Sequence, residues 1–182
     1  MTWLGWSLAV LGLLMVWKFI LVSGRLNVLH RRKDLLLESL EIQLAWREHI
    51  FTDILQNGDL PIQYQTQAAR VVLNLEKAAE MSFPDYLAAE SDFTRLLTDL
   101  FESDEILQLH ANSEVSTDRL KDLARSCRRV ALARRFHNDA VGALQLLRVR
   151  WSVRWLKLHG NTPWPRAIDM ADSVPGSLAR LR

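Results

Sequence analysis

The sequence predicts an all-α protein: an N-terminal transmembrane helix, then an elongated antiparallel bundle of about four helices. Three observations carry that expectation. Residues Trp3 to Val22 (WLGWSLAVLGLLMVWKFILV) form a nearly unbroken apolar run, about the ~20 residues that cross a bilayer core as a helix. Downstream, apolar residues recur at helical spacing and no stretch alternates as a strand would. The 182-residue chain holds only seven glycines and five prolines, so the few that occur punctuate it sharply.

The first element is the anchor, residues 1–24. Lys18 is the one charge in the apolar run and lies within about a turn of its end, where a long side chain reaches the headgroups. Trp3, Trp6 and Trp17 stand towards the two ends, as interfacial aromatics do. A cleaved signal peptide would have a basic start and a shorter apolar core, and MTWLGW has no basic side chain. Arg25, Arg31, Arg32 and Lys33 follow the run closely. The positive-inside rule then puts the amino end outside and the rest of the chain in the cytoplasm, at the cell membrane, and the neighbouring carboxylates do not count against it.

The helical body is expected over residues 25–160, after a hinge at Ser23-Gly24. Leu26, Leu29, Leu36, Leu40, Leu44, Ile50 and Ile54 recur through a first helix to about residue 56. Asn57-Gly58-Asp59 reads as its stop, and Pro61 starts a second helix with Ala68, Val71, Val72 and Leu75 on one face. Ser82-Phe83-Pro84 interrupts it. A third helix is expected from Pro84 to about Leu109, with Leu87, Phe93, Leu96, Leu97, Leu100 and Phe101 in the core. A polar connection, Ala111 to Ser116, leads to a last helix from about Asp118 to His159, N-capped by Ser116 or Thr117. Gly160, Pro163 and Pro165 end it, leaving residues 161–182 as an irregular, partly mobile tail. At 1.5 Å per residue the last helix is ~60 Å long and, in an up-down arrangement, returns to the bilayer.

Motifs that carry chemistry are scarce. The five histidines have no metal-ligand spacing, and there is no glycine-rich phosphate loop and no nucleophile elbow. Cys127 is the single cysteine; with no histidine base as a helical neighbour it reads as a structural thiol. The net charge of +2 is uneven: residues 118–159 are basic and residues 85–105 acidic. Arg125, Arg128, Arg129, Arg134 and Arg135 would supply phosphate affinity. No helix-turn-helix, zinc or stacking pattern accompanies them, so nucleic acid is not the expected partner. Near the end of the last helix Arg150, Arg154 and Lys157 share one face, with Trp151 and Trp155 on another. That segregation suits an anionic lipid surface, against the plainer reading of a core face and a solvated face.

ALARRFHNDAV (131–141) resembles the AxxRRxYNDAV-like run of the LemA family, bacterial proteins with one N-terminal span and a helical soluble domain. FPDYLAAESDFTRLLTDLFESDE (83–105) and LEIQLAWREHIFTDIL (40–55) are similar to two further blocks of that family, in the same order. Some twenty extra residues separate the last two blocks, His137 stands in place of a tyrosine, and only Arg47 is kept from the family's Arg-x-Asp-Leu-Ile-Pro-Asn. What the resemblance implies is an elongated antiparallel α bundle on a membrane anchor, without an established catalytic chemistry. The expected function is therefore a membrane-anchored scaffold or adaptor with no enzyme activity and no cofactor or metal. Its expected partners are membrane lipid and either another protein or a second copy. The alternative is a basic lipid- or nucleic-acid-binding module. Arg47, Arg134, Arg135, Asn138 and Asp139 are the candidate structural or interaction residues, with the arginines expected to pair with carboxylates of another helix.

Overall fold

The computed structural model describes residues 2–102, 105–110, 114–149 and 163–181. Among these residues all regular structure is helical: α1 (Thr2–Gln56), α2 (Ile62–Ala79), α3 (Phe83–Leu100), α4 (Glu105–His110), α5 (Glu114–Val149) and the short α6 (Gly176–Ala179). One helix, α1, is long and apolar enough near its N-terminus to cross a membrane by length and composition.

Helix α1 corrects the expected hinge. It runs without a break through Ser23 and Gly24. A glycine inside a helix costs only about 1 kcal/mol relative to alanine, which strong helix formers on both sides outweigh. The expected stop at Asn57-Gly58-Asp59 is real, and its chemistry is visible. Gly58 takes φ 72°, the left-handed conformation in which a side chain is disfavoured. Its N–H donates to the Leu55 carbonyl, and the next N–H, of Asp59, donates to Ile54. This Schellman pair satisfies carbonyls the helix end leaves open. Pro61 then precedes α2, whose first turn has no need of the missing N–H. Ser82 caps α3: its hydroxyl donates to the Asp85 carboxylate at 2.5 Å and accepts from the Asp85 N–H.

Two boundaries differ from the sequence expectation. Helix α3 ends at Leu100 and not near Leu109. The Phe101 carbonyl, which would have continued the ladder, accepts instead from the Ser177 N–H and hydroxyl, the latter at 2.7 Å. Helix α5 begins at Glu114, ahead of the expected cap. Ser116 is buried in its first turn and donates to Asp59 Oδ1 at 2.9 Å. A tertiary carboxylate thus takes the hydroxyl that was expected to cap the helix.

The chain divides into two compact units. The larger comprises residues 38–136 and 168–182. Its core is one cluster built from Phe51 and Ile54 of α1, Leu75 of α2, Phe93 and Leu97 of α3, Ile106 of α4, Leu123 of α5 and Leu178 of α6. The segment expected as a mobile tail contributes to the buried interior, with Ile168, Met170 and Leu178 all inside. The smaller unit comprises residues 1–37 and 137–167. Among its described residues, Leu26 of α1 packs on Leu144 and Leu147 of α5, with Val22 and Leu29 against them.

Candidate functional site

On α1 the buried positions Leu40, Leu44, Arg47, Phe51 and Ile54 follow a helical stripe, so the backbone itself carries Arg47 into the interior of the larger unit. There its exposure is 1% and that of Glu90 on α3 is 0%. Arg47 Nη2 lies 2.5 Å from Glu90 Oε2, and Nη1 donates to Thr94 Oγ1 at 3.1 Å. The Thr94 hydroxyl in turn donates to the Glu90 backbone carbonyl at 3.0 Å. The guanidinium sits 5.1 Å from the centre of the Phe93 ring, and Phe93 meets Phe51 edge to face. Charge, hydrogen bonds and ring quadrupole therefore converge on one cation. The pairing is incomplete, because Arg47 Nε and Glu90 Oε1 are buried without a partner of good geometry.

Neighbouring groups respond to this pair. Burial, then the Glu90 charge and its hydrogen bonding, push the Tyr86 phenol far above its ordinary range. Burial raises the Glu48 carboxyl, with Glu90 and Glu76 adding repulsion. Burial also raises the Cys127 thiol, against the opposing influence of Arg47, Ser126 and Arg128. A buried cysteine held as a thiol is a poor nucleophile. The arrangement can fix the register of α1 against α3, since a buried charge has one place where its partner is met.

The other expected residues are placed separately. Arg134 pairs with a carboxylate, as expected, but not on another helix: Nε and Nη2 reach the two oxygens of Asp172, in the C-terminal segment, at 2.7 and 3.0 Å. Arg135 and Asp139 are exposed. Asn138 Oδ1 is 3.3 Å from His137 Nδ1, and His137 is buried. Arg150, Trp151, Arg154, Trp155 and Lys157 lie outside the described residues.

Several partners were not singled out from the sequence. Arg128 Nη2 donates to the Leu178, Ala179 and Leu181 carbonyls at 3.2, 2.9 and 2.6 Å, where the end of α6 presents open acceptors. Arg119 pairs with Asp59 and, at 3.4 Å, with Asp53. Glu90 had a readable signal: it stands at helical spacing between Tyr86, Phe93 and Leu97, a carboxylate inside an apolar stripe. The contacts of Asp172 and Arg128 had none, because they depend on where an irregular segment folds back.

Among the described residues no group of three or more His, Cys, Asp or Glu could hold a metal ion. An open groove lined by Ile42, Gln43, Ala45, Trp46, His49 and Arg129 runs along the larger unit. Its Trp46 is half exposed, as are Leu132 and Phe136 on α5. No family model, curated protein or solved structure matches this chain.

Proposed function

We propose that the protein is a membrane-anchored helical scaffold or adaptor. Residues 3–22 of α1 cross the bilayer, and the helices that follow form an antiparallel bundle of about four that binds other molecules without performing a reaction. The observation that carries this reading is the character of α1. Among the described residues its apolar window is unburied, and the same unbroken helix goes on to supply core residues. A helix that is apolar all round and covered by no protein is stable only where its solvent is lipid.

The arginines and lysine after the span favour a cytoplasmic body in a cell membrane. The exposed apolar side chains of the groove, Ile42 and Trp46, favour a protein partner or a second copy. The blocks shared with the LemA family favour membership as a divergent relative. Protease treatment of intact cells carrying a C-terminal tag tests the placement. The tag is expected to survive until the cells are lysed. Digestion on intact cells overturns the orientation, and release of the protein by a carbonate wash overturns the anchor.

A further inference from the structure

The smaller unit holds a second feature at the base of the span. Arg25 and Leu29 of α1 face Ala143, Leu146 and Leu147 of α5 across an open groove of about 400 Å³. The walls are brought together by the packing of Leu26 on Leu144 and Leu147. The floor is apolar, yet it is not closed: Leu146 is 74% exposed. Val28 and Val149 are also largely exposed. Such side chains beside water would be a liability.

Their position supplies the explanation. Arg25 lies three residues beyond Val22, about 4.5 Å along the helix at 1.5 Å per residue. The headgroup layer is about 5–7 Å deep on each side of the hydrocarbon core. Arg25 therefore stands at headgroup depth if the span ends near Val22. Arg25, Leu29 and Arg32 follow each other at i, i+4 and i+7, so one stripe of α1 carries a cation, an apolar contact and a second cation. Arg25, Arg31 and Arg32 are all exposed. The acids of this unit are Asp34, paired with Lys33 at 2.7 Å, and Asp139, which sits four residues before Ala143 on α5. The charge at the groove is thus cationic, and its floor continues the apolar surface of the span.

We infer that this groove binds an anionic phospholipid of the surrounding leaflet. The phosphate is held by Arg25 and approached by Arg32, and the glycerol and first acyl carbons lie against Leu29, Leu146 and Leu147. The arginine stems cover apolar surface while their heads meet the phosphate. The inference rests on the anchor reading proposed above. Lipid contact is confined here to a defined pair of helices, so it has consequences that a bare anchor lacks.

The test uses the full chain in nanodiscs of equimolar phosphatidylglycerol and phosphatidylcholine, followed by mild release and a count of retained lipid by native mass spectrometry. Phosphatidylglycerol is expected to be retained in preference to phosphatidylcholine. Arg25→Gln should reduce that preference about fivefold, the amount expected for one cation at an anionic surface. Leu146→Glu should abolish it. Both side chains are exposed, and unchanged thermal unfolding confirms that each variant is folded. Arg70→Gln removes an equal charge from the exposed surface of α2 and should leave retention unchanged. Incorporation with no preference, or a preference that Arg25→Gln leaves intact, overturns the lipid site and spares the anchor. A dimer that retains no lipid assigns the groove to a second copy and overturns it too. Failure to enter the nanodisc overturns the anchor and the site together.

Discussion

Residues 3–22 and residues 38–56 belong to the same helix, and their side chains are distributed in opposite ways. In the first stretch Leu8, Leu11, Leu13, Leu14, Met15, Val16, Trp17 and Ile20 are all more than half exposed, on every side of the helix. In the second, Leu40, Leu44, Phe51 and Ile54 are buried on one face, while Glu38 and Glu41 stay exposed. Backbone and hydrogen bonding are the same in both, so the difference lies in what each stretch has for a neighbour. The second stretch shares its core with α2, α3, α4, α5 and the folded-back C-terminal segment. Apart from Val22 at its end, which packs against the cluster of Leu26, Leu144 and Leu147, the first lies open among the described residues, which is what a lipid solvent would make tolerable.

The largest effect is expected from charge placed in the first stretch. Leu11→Arg with Leu14→Arg is expected to move the protein from the membrane fraction to the soluble or aggregated fraction. Each arginine near the middle of a span costs on the order of a hundredfold in insertion. The thermal unfolding of the remaining helices should hardly change, because the substituted side chains are buried against nothing. A protein that remains in membranes after both substitutions would show that residues 3–22 are not the anchor.

In the second stretch the equivalent probe is already present, since Arg47 is a charge at the centre of the buried stripe. Arg47→Ala leaves Glu90 buried and uncompensated, at a cost of about 3–5 kcal/mol. For a chain of this size that corresponds to roughly 10 °C in Tm. Arg47→Met with Glu90→Leu should recover most of the loss, as apolar replacements of a buried pair often do. Arg47→Lys should fall between, because an ammonium cannot reach Thr94 and Glu90 with a planar fork. Thermal unfolding of the parent, Arg47→Met, Glu90→Leu and the double variant measures the cycle. Losses in the two single variants that simply add up in the double variant would show that the pair is not coupled. The two experiments have opposite signatures: one changes location at constant stability, the other stability at constant location.

How much of this was legible in the sequence depends on the range of the interactions involved. The helix stop at Gly58, the start after Pro61 and the Ser82 cap are decided within a few residues, and the sequence displays them. The buried stripes of α1, α2 and α3 follow the period of the helix and were equally visible. Arg47 and Arg134 stood out through the family-like blocks that contain them, although their partners did not. The end of α3 at Leu100 was hidden because Ser177, seventy-six positions later, takes the Phe101 carbonyl. For the same reason the C-terminal segment looked like an appendage. Its anchoring depends on Arg128 and Arg134, together with the Ser91 hydroxyl, which accepts from the Ala171 N–H at 3.2 Å. Those groups are scattered through α3 and α5, and no local pattern links them.

The smaller unit offers the gentlest test, and it concerns pH. His137 is buried, and burial first, then the Lys33 charge, lowers its pKa from 6.5; the Asn138 hydrogen bond and Asp34 act in the opposite direction. His30 is lowered as well, by burial, Arg148 and Lys33. A group with a lower pKa in the folded state binds protons more readily when unfolded, so stability rises with pH across the window between the two values. Above pH 6.5 both states hold neutral imidazole and the stability is fully present. It is lost progressively as the pH falls below that value. Lowering the pH from about 7.5 to about 5.5 should therefore reduce Tm, and His137→Tyr, which keeps a ring and removes the titration, should flatten part of the slope. The change attributable to His137 is the smallest of the three effects, on the order of a degree or two. Because Asp34 offsets part of the shift, Asp34→Asn should steepen the acid loss of the parent and leave the tyrosine variant less affected. An Asp34→Asn effect that is the same in both backgrounds would place the titration elsewhere in the molecule, and the buried imidazole would not be its source.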